Sequence, residues 1–164
     1  MNRRKAVGLI GLPAYAQAAS STCDRFIGVW KLVSCKQKSK DGKLSDLYGP
    51  NPIGRITYDK AGRMSAQLMR RGRRSTVPPG TGLGRADVSI EELREAAGGY
   101  VAYFGAFDVD ETSKTVTHHV QACLVPSWVG TDLKRAYRFY SNRLALTADQ
   151  PDGQVELVWE LEPD

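Results

Sequence analysis

Eight short stretches of alternating apolar and polar residues run from Gly28-Val29-Trp30 to Leu157-Val158-Trp159. A period of two marks a strand with one buried face. The stretches are Phe26 to Lys36, Arg55 to Tyr58, Arg63 to Met69, Tyr100 to Val109, Thr115 to Leu124, Leu133 to Tyr140, Arg143 to Ala148 and Gln154 to Leu161. Most are separated by turn residues: Lys40-Asp41-Gly42, Asp59-Lys60-Ala61-Gly62, Asp110 to Lys114, Ser141-Asn142 and Gln150 to Gly153. Short connections make neighbours in sequence neighbours in space. The expected fold is all-β: an eight-stranded antiparallel up-and-down barrel. An open β-sandwich is the competing arrangement. Closure at eight strands leaves an interior wide enough for one small ligand and removes exposed sheet edges.

The longest interruption, Arg70 to Val88, is polar and rich in glycine and proline. It leads to the one good helix signal. Ser89 followed by Glu92 is a capping box, and Ile90, Leu93 and Ala97 form an apolar stripe. Gly98-Gly99 ends it. The helix is expected between the third and fourth strands.

Residues 1–19 read as a secretory signal peptide: Arg3, Arg4 and Lys5, then apolar Ala6 to Leu12, then Ala16-Gln17-Ala18. The expectation is an exported protein, periplasmic or secreted, with a barrel domain over residues 24–164. Three of the 23 basic residues and none of the 18 acidic ones lie in that leader, so the remainder carries 20 against 18. A balance of +2 gives no case for nucleic acid or an acidic membrane surface, and no apolar run is long enough to span a bilayer. Three cysteines allow one bridge at most. Cys35 and Cys123 fall on opposite sides of an eight-strand ring, too far apart to pair. Cys23 lies on the lead-in and has either within reach, or all three stay unpaired.

Alternation places Val116, His118, Val120, Ala122 and Leu124 on the inner face of the fifth strand. Val101, Tyr103, Gly105, Phe107 and Val109 face in from the fourth, and Leu133, Arg135, Tyr137 and Phe139 from the sixth. Met64, Ala66 and Leu68 share a face of the third strand, and Val155, Leu157 and Trp159 one of the last. Trp30 and Leu32 point inward from the first. Apolar walls with few polar groups suit a small hydrophobic or amphipathic ligand. The candidate lining residues are Trp30, Tyr58, Met64, Tyr103, Phe107, His118, Trp128, Arg135 and Tyr137. An inward Arg135 requires a carboxylate, a ligand anion or water at the barrel mouth.

Opening strand Phe26 to Ser34, the block Gly62 to Arg70, Gly99 to Gly105, and Leu157-Val158-Trp159-Glu160 together resemble the bacterial and fungal lipocalin-like domain family. Thr115 to Val120, followed by Pro126-Ser127-Trp128-Val129-Gly130-Thr131, is the most distinctive pair of blocks. The resemblance implies the small barrel and only loosely a function. Many members look cytoplasmic, whereas this chain carries an export pattern. Its last strand also lacks the arginine that true lipocalins place there.

Chemistry is sparsely signalled. His118 and His119 point to opposite faces, so they do not share a metal. With no third histidine and no Cys-x-x-Cys, neither a metal nor a cofactor is assigned. His118 is read first as a buried histidine bonded to a neighbouring strand or tyrosine, and second as a general acid or base. The second reading makes the protein a cyclase or isomerase acting on a polyketide- or terpenoid-like substrate, with His118, Tyr103 and Arg135 catalytic. A third possibility is an interaction protein whose barrel is filled by its own side chains. Arg70-Arg71-Gly72-Arg73-Arg74 is read as a solvated loop rather than a steering patch.

Overall fold

The computed structural model describes residues 21–85 and 87–163, so the expected leader lies outside the described residues. Among these residues, nine strands form one antiparallel sheet: β1 (Gly28–Ser39), β2 (Leu44–Asp46), β3 (Ile53–Tyr58), β4 (Arg63–Met69), β5 (Tyr100–Asp110), β6 (Thr115–Cys123), β7 (Asp132–Tyr140), β8 (Arg143–Gln150) and β9 (Gly153–Leu161). β1 pairs with β3 on one side and with β9 on the other, from Trp30–Leu161 to Ser39–Gly153. The sheet therefore closes. The cylinder has eight strands, because β2 only flanks the far end of β1 at Lys36–Lys38. β2 was not expected from sequence; its three residues are all exposed and carry no alternation signal. Counting it, helix α1 (Ile90–Gly98) lies between β4 and β5 rather than between the third and fourth strands.

Local chemistry sets the tight turns. Asp59 accepts the backbone N–H groups of Ala61 and Arg63 at 2.9 and 3.0 Å, and Gly62 takes the positive φ of +75°. Asp110 accepts those of Thr112 and Ser113 at 2.9 and 3.1 Å.

Two β-bulges break the simple alternation. In β1, Val33 has no partner between Leu32–Trp159 and Ser34–Val158. The inward series is therefore Trp30, Leu32, Cys35 and Gln37. In β6, Gln121 is the extra residue between Gly105–Val120 and Phe104–Ala122. Ala122 and Leu124 were expected to face inward. Instead Cys123 and Val125 pack against the core and Leu124 is 46% exposed. One inserted residue inverts every face beyond it.

The helix is capped as expected, with Ser89 accepting the Glu92 N–H. Its apolar stripe does not bury: Ile90 is 55% exposed and Ala97 is exposed. The buried position is Glu92, whose carboxylate accepts the Thr76 N–H at 2.8 Å, the Thr76 hydroxyl at 2.9 Å and the Ser75 hydroxyl. Polar contacts thus dock the helix. Arg70 joins it by pairing with Glu95 at 2.7 Å, and Arg73 donates to the Ala96 carbonyl at 2.8 Å. The arginine cluster holds the loop and helix at the barrel rim.

The long connections collect at one end: residues 40–52, 70–99 and 124–131. The other end carries the tight turns after β3, β5 and β7 and the N-terminal lead-in. Phe26, fully buried there, meets Tyr58, Tyr137 and Phe139 edge-on at centroid distances of 5.3, 5.1 and 4.9 Å. Trp30 Nε1–H donates to the Phe26 carbonyl at 2.8 Å. This end is packed solid. Among the described residues, no helix is long and apolar enough to cross a membrane.

Candidate ligand-binding site

At the end with the long connections, the barrel holds a cavity of about 380 Å³. That is within the ~300–1,000 Å³ range of small-molecule sites. Ile56, Leu68 and Val101 supply wall from β3, β4 and β5, and Leu146, Leu157 and Trp159 from β8 and β9. Tyr48 and Trp128 reach the cavity from the connections at the rim. The Trp128 ring lies edge-on to Tyr103 at 6.2 Å.

Of the residues proposed from sequence, Tyr103, Trp128 and Arg135 line this cavity. Trp30, Tyr58, Met64, Phe107 and Tyr137 do not, and belong to the packed core; His118, fully buried, does not line it either. Alternation correctly turns these side chains inward, but it does not say at which end of the cylinder space is left. Cys35, Tyr48 and Trp159 line the cavity and were not proposed. Trp159 had a signal, since it shares an inward face with Val155 and Leu157. Cys35 was hidden by the bulge at Val33, and Tyr48 lies outside any strand.

His118 marks the boundary between cavity and base. It is fully buried, and both ring nitrogens are engaged: Nδ1 with the Tyr103 hydroxyl at 3.0 Å and Nε2 with the Tyr58 hydroxyl at 2.8 Å. In a neutral imidazole one nitrogen donates and the other accepts, so one tyrosine accepts and the other donates. Burial holds the imidazole well below its ordinary pKa of 6.5, and the charges of Arg135 and His119 act in the same direction. Burial also raises the Tyr58 phenol well above its ordinary range. This is a saturated structural bridge across β3, β6 and β5.

His119 faces the opposite way. Its Nδ1 meets Asp132 and its Nε2 meets Asp108, each at 2.7 Å, and these bonds raise its pKa. The two histidines are thus separated by the sheet wall. Cys23, Cys35 and Cys123 are all unpaired. Burial pushes the Cys35 thiol up to about 12, so it stays protonated and unreactive at neutral pH.

Arg135 is half-buried on the inner side of β7. Among the described residues, the one other charged residue lining the cavity is Asp152, exposed on the turn between β8 and β9, where it accepts the Gln37 side-chain amide at 2.7 Å.

A solved structure of As-p18, an extracellular fatty acid binding protein, aligns with 85% of this chain and 97% of its own at 14% identity and a TM-score of 0.40. A de novo designed fluorescence-activating β-barrel aligns with 88% of this chain and 100% of its own at 9% identity and a TM-score of 0.43. In sequence, the chain is 33% identical over 94 residues to the 4'-hydroxy-3'-methoxypropiophenone carrier protein ppsC of Aspergillus oryzae. That match covers 54% of this chain and 81% of the relative. The model of the lipocalin-like domain matches residues 27–160, from the opening strand to the last, and with this match over the closed cylinder the chain belongs to the lipocalin-like domain family.

Proposed function

We propose that the protein is a carrier that holds one small, largely apolar molecule in the open half of its barrel. The observation that carries this reading is the cavity of about 380 Å³ behind a rim of long connections, opposite an end packed solid by Phe26. Aromatic side chains at Tyr48, Tyr103 and Trp128 favour a ligand with a planar ring. The relative named as a carrier of an aryl ketone supports the same class. A cyclase or isomerase needs an acid or base in contact with substrate. His118, its main candidate, has no exposed surface and no free nitrogen.

The test is a titration of the purified protein with 4'-hydroxy-3'-methoxypropiophenone, read by tryptophan fluorescence. Trp128 and Trp159 both line the cavity. Saturable quenching is expected, with Kd in the micromolar range or tighter. Ala148→Trp, which fills the cavity, is expected to abolish it while thermal unfolding stays cooperative. Quenching that never saturates, or that survives the filled cavity, would overturn the reading.

We also propose that the chain is exported and that the mature protein starts near residue 20. Intact mass of protein from its own source tests this. Loss of the first 19 residues is the expected result, and a retained N-terminus rules the proposal out.

A further inference from the structure

We infer that the cavity selects an amphipathic ligand with an anionic oxygen head, and that Arg135 is the residue that holds that head. This rests on the carrier reading and narrows its ligand class. Arg55, Arg63, Arg70, Arg85, Arg138 and Arg143 each lie within 4.0 Å of a carboxylate. All six pairs are on the outside of the barrel or on its loops. Arg135 points inward, and among the described residues no carboxylate lies within that distance and no hydrogen bond to its guanidinium is found. Its charge is felt by Cys35, Tyr58 and His118, on three other strands, as expected for a guanidinium inside the cylinder.

A cation facing apolar walls is costly unless an anion compensates it. Asp152 is a poor partner, since it lies exposed at the rim and already accepts from Gln37. The guanidinium fork matches a planar or tetrahedral oxyanion through two parallel N–H bonds.

Apart from Asp152, the other polar residues lining the cavity, Gln37, Tyr48, Tyr103 and Gln150, are neutral and supply no countercharge. A neutral hydrocarbon in the cavity leaves the guanidinium uncompensated.

The experiment uses two fluorescent probes built on one ring framework: 1-anilinonaphthalene-8-sulfonate, an anion, and N-phenyl-1-naphthylamine, which is neutral. Wild-type protein is expected to bind the sulfonate at least tenfold more tightly. Arg135→Met is expected to weaken the sulfonate tenfold or more and to leave the neutral probe unchanged or tighter. Should Arg135→Met fail to fold, Arg135→Gln and Arg135→Lys give the same comparison, with Lys retaining part of the preference. Equal affinity of the two probes, or an equal loss of both in Arg135→Met, overturns the inference and leaves the carrier reading standing. Failure of both probes to bind overturns the carrier reading as well.

Discussion

Gly105→Ala is expected to lose several kcal/mol of stability and to leave little folded protein. A Cβ built on Gly105 lies 1.9 Å from the His119 carbonyl oxygen and 3.0 Å from the Gln121 nitrogen. Both contacts are with backbone, so no side-chain rotation relieves them. The bulge at Gln121 is the cause, because it presses the β6 backbone against β5 where Gly105 pairs with Val120. Overpacking ordinarily costs about 1–3 kcal/mol. Here a paired strand has to move, and a domain of this size holds only about 5–15 kcal/mol in reserve. Gly82→Ala is the control: nothing lies within 4 Å of its added Cβ, and stability should be unchanged or slightly higher. Urea unfolding of the two variants measures the difference. A Gly105→Ala protein as stable as the control would show that β5 and β6 do not meet in this register.

Loss of the His118 bridge should come second in size. His118→Ala removes a fully buried ring and strands two tyrosine hydroxyls, Tyr58 and Tyr103. A cost of about 3–5 kcal/mol follows from the cavity and the unsatisfied groups together. His118 also makes stability depend on pH. Its folded pKa lies well below the 6.5 of an unfolded histidine. Below about pH 6.5 the unfolded chain takes up a proton that the folded chain does not. Its stabilising effect is therefore complete above 6.5 and falls as the solution becomes more acidic, at about 1.4 kcal/mol per pH unit. His119 acts in the opposite sense. Its raised pKa contributes stability below 6.5 that is lost as pH rises through its folded value. Urea unfolding from pH 7 to 4.5 on wild type and His118→Gln separates the two, because only the first histidine is removed. The Gln variant should be less stable at pH 7 and should lose less on acidification. Parallel pH curves would show that His118 titrates in the folded protein, contrary to its sealed position.

The cylinder was legible because it depends on a local rule. Residues two apart share a face, and apolar faces bury together. The inward faces of β5 and β7 follow from that rule alone: Tyr103 and Phe107 from one, Tyr137 and Phe139 from the other. The tight turns at Asp59 and Asp110 follow from side chains that bond their own backbone. The helix start at Ser89 was legible for the same reason.

Three features were not. The bulges at Val33 and Gln121 leave no mark on composition, yet they bring in Cys35 and Cys123 and turn out Leu124. The helix showed an apolar stripe, but the surface it rests on offers hydroxyls and N–H groups, so Glu92 is what it buries. The division of the barrel into a packed base and an open half depends on Phe26, which the alternation assigns to the first strand but which precedes β1 and enters from the lead-in.

Alternation along the chain was enough to indicate an antiparallel wall and to turn His118 and Arg135 toward its inside, while closure rests on the pairing of β1 with β9. Whether each then met a partner was decided only by folding, since that depends on strands far apart in sequence. Tyr58 arrives from β3 and Tyr103 from β5, and they saturate His118. Among the described residues no carboxylate arrives for Arg135. A periodic pattern encodes direction, but hydrogen-bond and ion-pair complementarity is a property of three-dimensional neighbours.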